Sequence, residues 1–258
     1  MKHRLILAAA LAAAFSLALG AQDADSIVKS SRDRIKADTV SSRARMIITA
    51  KDGSSSERLL DQYSSDAKGI TRSMIVFQKP ASVAGTRFLT IETASGADDR
   101  WIYLPALGKV RRIAASEGSG RFVGTDFSYD DISSATRDFS ADSHRVLKEE
   151  ELRGSLCHVV ESTPKDSGYQ YSKMISWIAK DSLIALRIEL YDRKGTHVKT
   201  VDILETKDVQ GRLTPMVTKM STIADGTSTE IRMEIMKYDD PIPEGVFTTD
   251  FLSTGRVR

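Results

Sequence analysis

The chain has 258 residues, with 37 lysines and arginines against 35 aspartates and glutamates, and 41% of its residues are apolar. That apolar share is too high for a disordered or collagen-like chain, and one cysteine, Cys157, cannot staple a small secreted scaffold through an internal disulfide. At this length one all-β domain and two smaller domains are both reasonable.

The chain opens with Lys2, His3 and Arg4, continues as an uninterrupted run of Leu, Ala, Ile, Phe and Ser from Leu5 to Leu19, and closes on Ala18-Leu19-Gly20. This is the pattern of a cleaved secretory signal peptide over 1–20; a membrane anchor of nearly the same apolar length is the competing reading. Removing the leader takes Lys2 and Arg4 out of the basic total and leaves 35 bases against 35 acids in the mature chain, 21–258. A neutral chain is a poor match for nucleic acid or for polybasic binding to a membrane surface, since both show as a basic excess. A bacterial lipoprotein would carry its lipid on a cysteine just after the cleavage site, where Ala21 stands instead. The expected location is therefore the periplasm, without an anchor and with only transient membrane contact.

Asp25 to Ile35 reads as a short helix with Ala24, Ile27, Val28 and Ile35 along one side. The period then changes to two. Strands are expected over Thr39–Ala50, Glu57–Tyr63, Ile70–Gln78, Arg87–Thr93, Arg100–Leu104 and Val110–Ile113. Turns fall at Lys51-Asp52-Gly53-Ser54, Ser65 to Gly69, Lys79-Pro80 and Pro105 to Lys109. A second series follows at Arg145–Leu152, Leu156–Ser162, Lys173–Ala179, Leu183–Tyr191, His197–Glu205, Pro215–Ile223 and Thr229–Tyr238. Their joints, Arg153-Gly154, Lys180-Asp181, Lys194-Gly195, Gln210-Gly211 and Asp225-Gly226, are short hairpin chemistries, so sequential strands should pair as an antiparallel meander. No linker, charge block or repeat divides the series, and 21–258 is read as one domain.

The alternation says what the sheet faces. Ile231, Met233 and Ile235 point one way while Glu230, Arg232 and Glu234 point the other, so one face is wet and one dry. Arg100 to Leu104 is apolar on both faces and should be covered on both. The mature chain also keeps seven methionines, which suit either gap-filling in a core or an adaptable apolar binding surface.

The search for chemistry yields little. His144, His158 and His197 form no metal-binding pair, and Cys157 has no second cysteine, so neither a metal nor any other cofactor is expected. Cys157 and His158 are neighbours on a strand, which sends them to opposite faces; a buried structural thiol is the simpler reading. Asp192 and His197 flank the Lys194-Gly195 turn like two members of a hydrolytic triad, but no serine elbow accompanies them and a surface ion pair suffices. The glycines from Gly118 to Gly124 miss both the dinucleotide and the phosphate-loop spacing. Asp126, Asp130 and Asp131 lack calcium-loop spacing and are expected to pair with Arg111, Arg112 or Arg121. The segment from Trp101 to Ile132 gathers Trp101, Tyr103, Phe122, Phe127 and Tyr129 around this loop, and reads either as a lid or recognition surface or as a flap that completes the core.

Trp101 to Ile113, WIYLPALGKVRRI, followed by Gly124 to Ile132, GTDFSYDDI, closely resembles the LolA-like periplasmic outer-membrane lipoprotein-sorting proteins, in particular the branch associated with RND-type lipid exporters. Leu190 to Gly195, Pro215 to Met220, and Asp240 to Phe247 with Phe251-Leu252 extend the resemblance over about Ala24 to Leu252. It implies a mainly β, strongly curved antiparallel half-barrel in which short helices and loops cover an apolar cavity. It also implies a carrier rather than an enzyme, shuttling the acyl chains of a lipoprotein or a free lipid towards the outer membrane, with an inner-membrane RND-type exporter as a possible partner. On this reading Trp101, Tyr103, Phe122, Phe127 and Trp177 belong to the lid and wall, and Met216, Met220, Ile231, Met233 and Ile235 to the dry lining. Lys109, Arg111 and Arg112 would meet an anionic headgroup or the exporter, or else form a solvated basic turn. The rival classes are a secreted β-rich interaction module with a filled core and, behind it, a hydrolase.

Overall fold

The computed structural model describes residues 24–67, 70–93, 98–133 and 139–257; the expected signal peptide, and Lys68 and Gly69 of the expected turn, lie outside them. Among the described residues thirteen strands follow in chain order: β1 (Thr39–Thr49), β2 (Ser55–Ala67), β3 (Ile70–Lys79), β4 (Arg87–Ile91), β5 (Asp99–Leu104), β6 (Lys109–Arg112), β7 (Asp142–Leu152), β8 (Ser155–Pro164), β9 (Lys173–Ala179), β10 (Ala185–Tyr191), β11 (His197–Val209), β12 (Arg212–Thr222) and β13 (Thr227–Tyr238). The helices described are short: α1 (24–33), α2 (Tyr129–Ser133) and α3 (Thr249–Thr254). Each segment with period-two alternation forms a strand, and the fold is the mainly β antiparallel class that the sequence implies. Among the described residues no helix is long and apolar enough to cross a membrane.

The described residues divide into two compact units, a smaller one made of the chain through Arg34 with Asp138–Val198, and a larger one made of Ile35–Arg137 with Lys199–Arg258. In the smaller unit β10, β9, β8 and β7 pair in that order, each neighbour antiparallel. The turn between β7 and β8 places Arg153 and Gly154 at φ of 54° and 82°. Positive φ at both central residues is the hairpin geometry that matches strand twist, and glycine adopts it without steric cost. On α1 the spacing i, i+3, i+4 brings Ala24, Ile27 and Val28 to one side, where they are buried against Val160 and Ile178. Ser31 Oγ donates to the Leu183 carbonyl at 2.7 Å and ties the helix to the turn before β10.

In the larger unit the order is β6-β5-β4-β3-β2-β1-β13-β12-β11. Two runs of consecutive hairpins thus meet where β1 pairs with β13, a long-range contact that no turn sequence announces. Residues directly opposite in register share a face. Met46, Ala44, Leu60, Phe77, Phe88 and Ile102 therefore lie on one face, and all are almost completely buried. This is the strap face, because residues 113–133 cross it. The opposite face carries Met74 and Leu89 with Tyr63, Val76, Trp101 and Tyr103, and is covered by Ile242, Val246, Phe247, Phe251 and Leu252 of the C-terminal segment. Strand β5 is accordingly covered on both sides, as its unbroken apolar run requires.

Where that cover ends, the second face carries charge. Arg45 bonds to Glu57 and Glu234, and Arg232 to Glu230 and Glu205, a ladder of exposed or half-exposed ion pairs opposite the apolar interior. The β1–β13 register slips between Arg43 and Ala44: Ala44 faces Met233 and Arg43 faces Ile235, which leaves Glu234 as an extra residue. This bulge corrects the expected alternation. Met233 stays on the strap face, whereas Ile235 turns to the opposite face and is 47% exposed.

Candidate functional site

The strap leaves β6 with Ile113 buried, passes through two short 3-10 turns, Ala115–Glu117 and Phe122–Gly124, and ends in α2. Its start and end are set by side-chain caps. Glu117 accepts the Ala114 N–H at 2.9 Å, and Ser128 and Asp131 exchange side-chain to backbone bonds of 2.8 and 3.0 Å at the head of α2. Gly118 permits a close approach, since a Cβ there would collide with the Asp130 carboxylate. Val123 and Gly124 both have positive φ, 47° and 73°, a conformation unfavourable for valine. Arg58 donates to the Val123 carbonyl and holds the bend in place. The bend drives Phe122 into an aromatic cluster, with ring centroids 5.8 Å from Phe77, 5.1 Å from Phe88 and 5.7 Å from Tyr129. Phe122 is fully buried, so the strap is packed onto the sheet as well as lying over it.

Asp126 fixes the other end of this contact. Its carboxylate is 2% exposed and takes three hydroxyl donors from β12 and β13: Thr222 at 2.6 Å and Thr227 on Oδ1, and Thr229 at 2.7 Å on Oδ2. The Asp126 N–H donates in return to Thr229 Oγ1 at 3.0 Å. A buried carboxylate without bonds would be costly, and here the short hydroxyl bonds compensate its desolvation. Nearby, Asp130 pairs with the largely buried Arg100, and Asp131 with Lys199 at 2.8 Å. These contacts overturn the expected pairing of the three aspartates with Arg111, Arg112 or Arg121. Those arginines bond instead to Glu117, Asp99 and Asp225, at the rim of the strap. The local crowding of acids and bases was visible in the sequence; the threonines, about a hundred residues away, carried no signal.

The structure sorts the expected site residues into separate places. Phe122 and Phe127 are buried on the strap face. Trp101 and Tyr103 are half-buried on the opposite face under the C-terminal segment, and Arg87 stacks over Tyr103 at 5.2 Å. They are apart because β5 alternates. Trp177 belongs to the smaller unit, where its indole N–H donates to Glu150 at 2.7 Å. Met220 is buried opposite Thr229. Ile231 and Met233 are half-exposed on the strap face, joined there by Val201, Ile203 and Met236, which sequence reading had not singled out. Met216 is half-exposed and unpaired in the β11–β12 register, where Glu205 faces Val217 and Thr206 faces Pro215. Lys109, Arg111 and Arg112 form β6, and all are exposed.

A family model described as an uncharacterized protein matches residues 69–254. A Vibrio parahaemolyticus structure described as an outer membrane lipoprotein-sorting protein domain is 29% identical, with a TM-score of 0.85 over 90% of this chain and 99% of that one. The chain belongs to the family of that model and resembles the LolA-like outer-membrane lipoprotein-sorting proteins. A DUF1329 family protein from Desulfovibrio piger is similar to this LolA-like chain at 28% identity and a TM-score of 0.84, again over 90% and 99% of the two chains. A LolA superfamily protein from Nitrosomonas europaea shares the fold at 20% identity and a TM-score of 0.71, covering 89% and 99%. No curated protein matches the sequence.

The groups that could suggest catalysis in this LolA-like chain are engaged in local contacts. Asp192 Oδ1 accepts the N–H groups of Lys194 and Thr196, each at 2.8 Å, and so builds the turn, while His197 stacks on Tyr191 at 5.2 Å. Cys157 is buried, and that burial pushes its thiol pKa up, away from the reactive thiolate. His144 Nδ1 lies 2.8 Å from Ser162 Oγ within the smaller unit. Among the described residues no group of three or more His, Cys, Asp or Glu side chains is placed to share a metal ion.

Proposed function

We propose that the mature chain is a periplasmic carrier that holds the acyl chains of a lipoprotein or a lipid in an apolar cavity and shuttles them towards the outer membrane, with an inner-membrane RND-type exporter as partner. The observation that carries this reading is the likeness, over nine-tenths of the chain, to a protein described as a lipoprotein-sorting domain. The strap face supplies the chemistry. Its fully buried members, such as Met46 and Phe77, are already satisfied by their neighbours. The half-exposed Ile231, Met233, Met236, Val201 and Ile203 are the apolar side chains a ligand can still cover.

Burial alone makes such a contact effective. Each acyl methylene removed from water gains about 0.8 kcal/mol, so even a partly covered chain binds without hydrogen bonds. Release then requires the strap to move or a partner surface to take the chain. Of the aromatic residues expected in the lid and wall, the proposal assigns Phe122 and Phe127 to the lid; Trp101 and Tyr103 pack with the C-terminal cover. No residue is assigned covalent chemistry.

The test is uptake of a fluorescent fatty acid by the purified mature chain, compared with three variants. Met233→Asp and Ile231→Asp place a charge on the strap face and should weaken uptake at least tenfold. Ile235→Asp, two positions from Met233 but on the opposite face, should leave it within about twofold. Absence of uptake by the wild-type chain, or equal loss in all three variants, refutes the assignment and favours a filled-core interaction module.

A further inference from the structure

We infer that one end of the larger unit's sheet is a docking tip for an anionic phospholipid surface. At that end β3 runs into the turn 80–86, β4 begins, β5 enters the 3-10 turn Pro105–Leu107, and β6 starts at Lys109. The two turns are packed together: a Cβ on Gly85 would lie 3.2 Å from Pro105 Cγ. Leu107, at the apex, is 64% exposed, more than any other large apolar side chain described, and Val110 beside it is 37% exposed. Pro80, Ala81, Pro105 and Ala106 are exposed around them.

The two hairpin segments that build this end carry charge of one sign, the nearby acids Asp61, Asp99, Glu117 and Asp250 coming from other segments. Residues 78–91 and 100–112 contain Lys79, Arg87, Arg100, Lys109, Arg111 and Arg112 and no acidic residue, in a mature chain that is neutral only as a whole. Arg100, Arg111 and Arg112 are tied to Asp130, Glu117 and Asp99, and Arg87 donates to the Leu252 carbonyl at 2.9 Å. Lys79 and Lys109 are exposed, and neither has an ion-pair partner among the described residues. The last turn of α3 is held to this same end by Arg87, and the exposed Arg256 and Val257 follow it.

A protruding leucine on a turn packed against its neighbour, flanked by free ammonium groups, suits a lipid headgroup layer better than a protein pocket. The side chain gains by entering the acyl boundary while the lysines remain with the phosphates. Neutrality of the whole chain does not prevent this, because screening restricts the interaction to charges near the surface. The tip is independent of the cargo reading: a chain that carries no lipid could still dock, so vesicle binding and fatty-acid uptake fail separately.

The experiment is co-sedimentation of the mature full chain with vesicles of phosphatidylcholine alone and of an equal mixture of phosphatidylcholine and phosphatidylglycerol, at low and high salt. Binding should favour the mixed vesicles and fall with salt. Leu107→Asp should weaken it at least tenfold, and Lys109→Glu and Lys79→Glu about fivefold or more each. All three positions are exposed, so thermal unfolding should stay at the wild-type temperature, and Lys219→Glu on the far strands should bind as wild type. Indifference to phosphatidylglycerol, or undiminished binding by Leu107→Asp and Lys109→Glu, overturns the proposal; a chain that ignores both vesicles would assign the tip to a protein partner.

Discussion

Replacing Asp126 by alanine tests how the strap is held. The substitution removes the acceptor of three threonine hydroxyls, those of the half-buried Thr222 and Thr227 and of the completely buried Thr229. A hydrogen bond to a charged group contributes about 1.5–3 kcal/mol net, and leaving buried donors unmade adds their desolvation. The three bonds share one carboxylate and are not additive. Water entering the vacated space recovers part of the loss, so the expected cost is about 2–4 kcal/mol, set by the bonds to the charged acceptor and the hydroxyl left unsatisfied at the buried Thr229. Urea unfolding followed by circular dichroism should show this as a lower midpoint with an unchanged slope. Hydrogen exchange adds the location: protection should be lost first across residues 113–133, together with the paired ends of β12 and β13. Thr229→Val, which removes one donor at nearly constant volume, should cost about 1–2 kcal/mol. A cost for Asp126→Ala below about 1 kcal/mol, or protection lost elsewhere while the strap stays protected, would refute the assignment of Asp126 as the anchor.

Other consequences follow from neighbouring packing. Leu252→Ala opens a cavity under the C-terminal cover, where Leu252 is fully buried against Met74 and Leu89, and should cost about 2–5 kcal/mol in urea unfolding, with Trp101 emission shifting to the red. Cys157 should resist an aqueous thiol reagent in the native chain and react fully in denaturant; rapid native labelling would contradict its burial. The Tyr191 phenol is half-buried and donates to Glu189 at 2.7 Å; partial desolvation and this bond push its pKa from 10.0 up to about 12. Only the protonated phenol makes that bond, so the stability it contributes is present below pH 10 and is lost as pH rises towards 12. Alkaline absorbance titration should show a late tyrosinate step that is missing in Tyr191→Phe.

The strands were legible because period-two alternation and two-residue joints are local signals. Gln210-Gly211, for example, takes the double positive φ of 53° and 76° that its position between β11 and β12 suggested. What escaped reading depends on register and on distance along the chain. A bulge is one unpaired residue, and nothing around Glu234 distinguishes it from its neighbours; yet it decides that Met233 faces the strap and Ile235 does not. The aromatic residues from Trp101 to Tyr129 form one group in sequence, but the alternation of β5 sends Trp101 and Tyr103 to one face while the strap carries Phe122 to the other. Likewise Asp126 was noticed as a carboxylate among arginines, but its partners are hydroxyls from β12 and β13. Threonines flanking an ordinary Asp-Gly turn give no sign of a buried acceptor.

Native mass spectrometry of the chain, isolated gently from its host, tests the carrier account most directly. The account predicts a reproducible adduct of lipid mass that organic extraction removes and that Met233→Asp carries in much smaller amount. A bare polypeptide mass for the wild-type chain, from preparations in which a control lipid carrier retains its cargo, would contradict it.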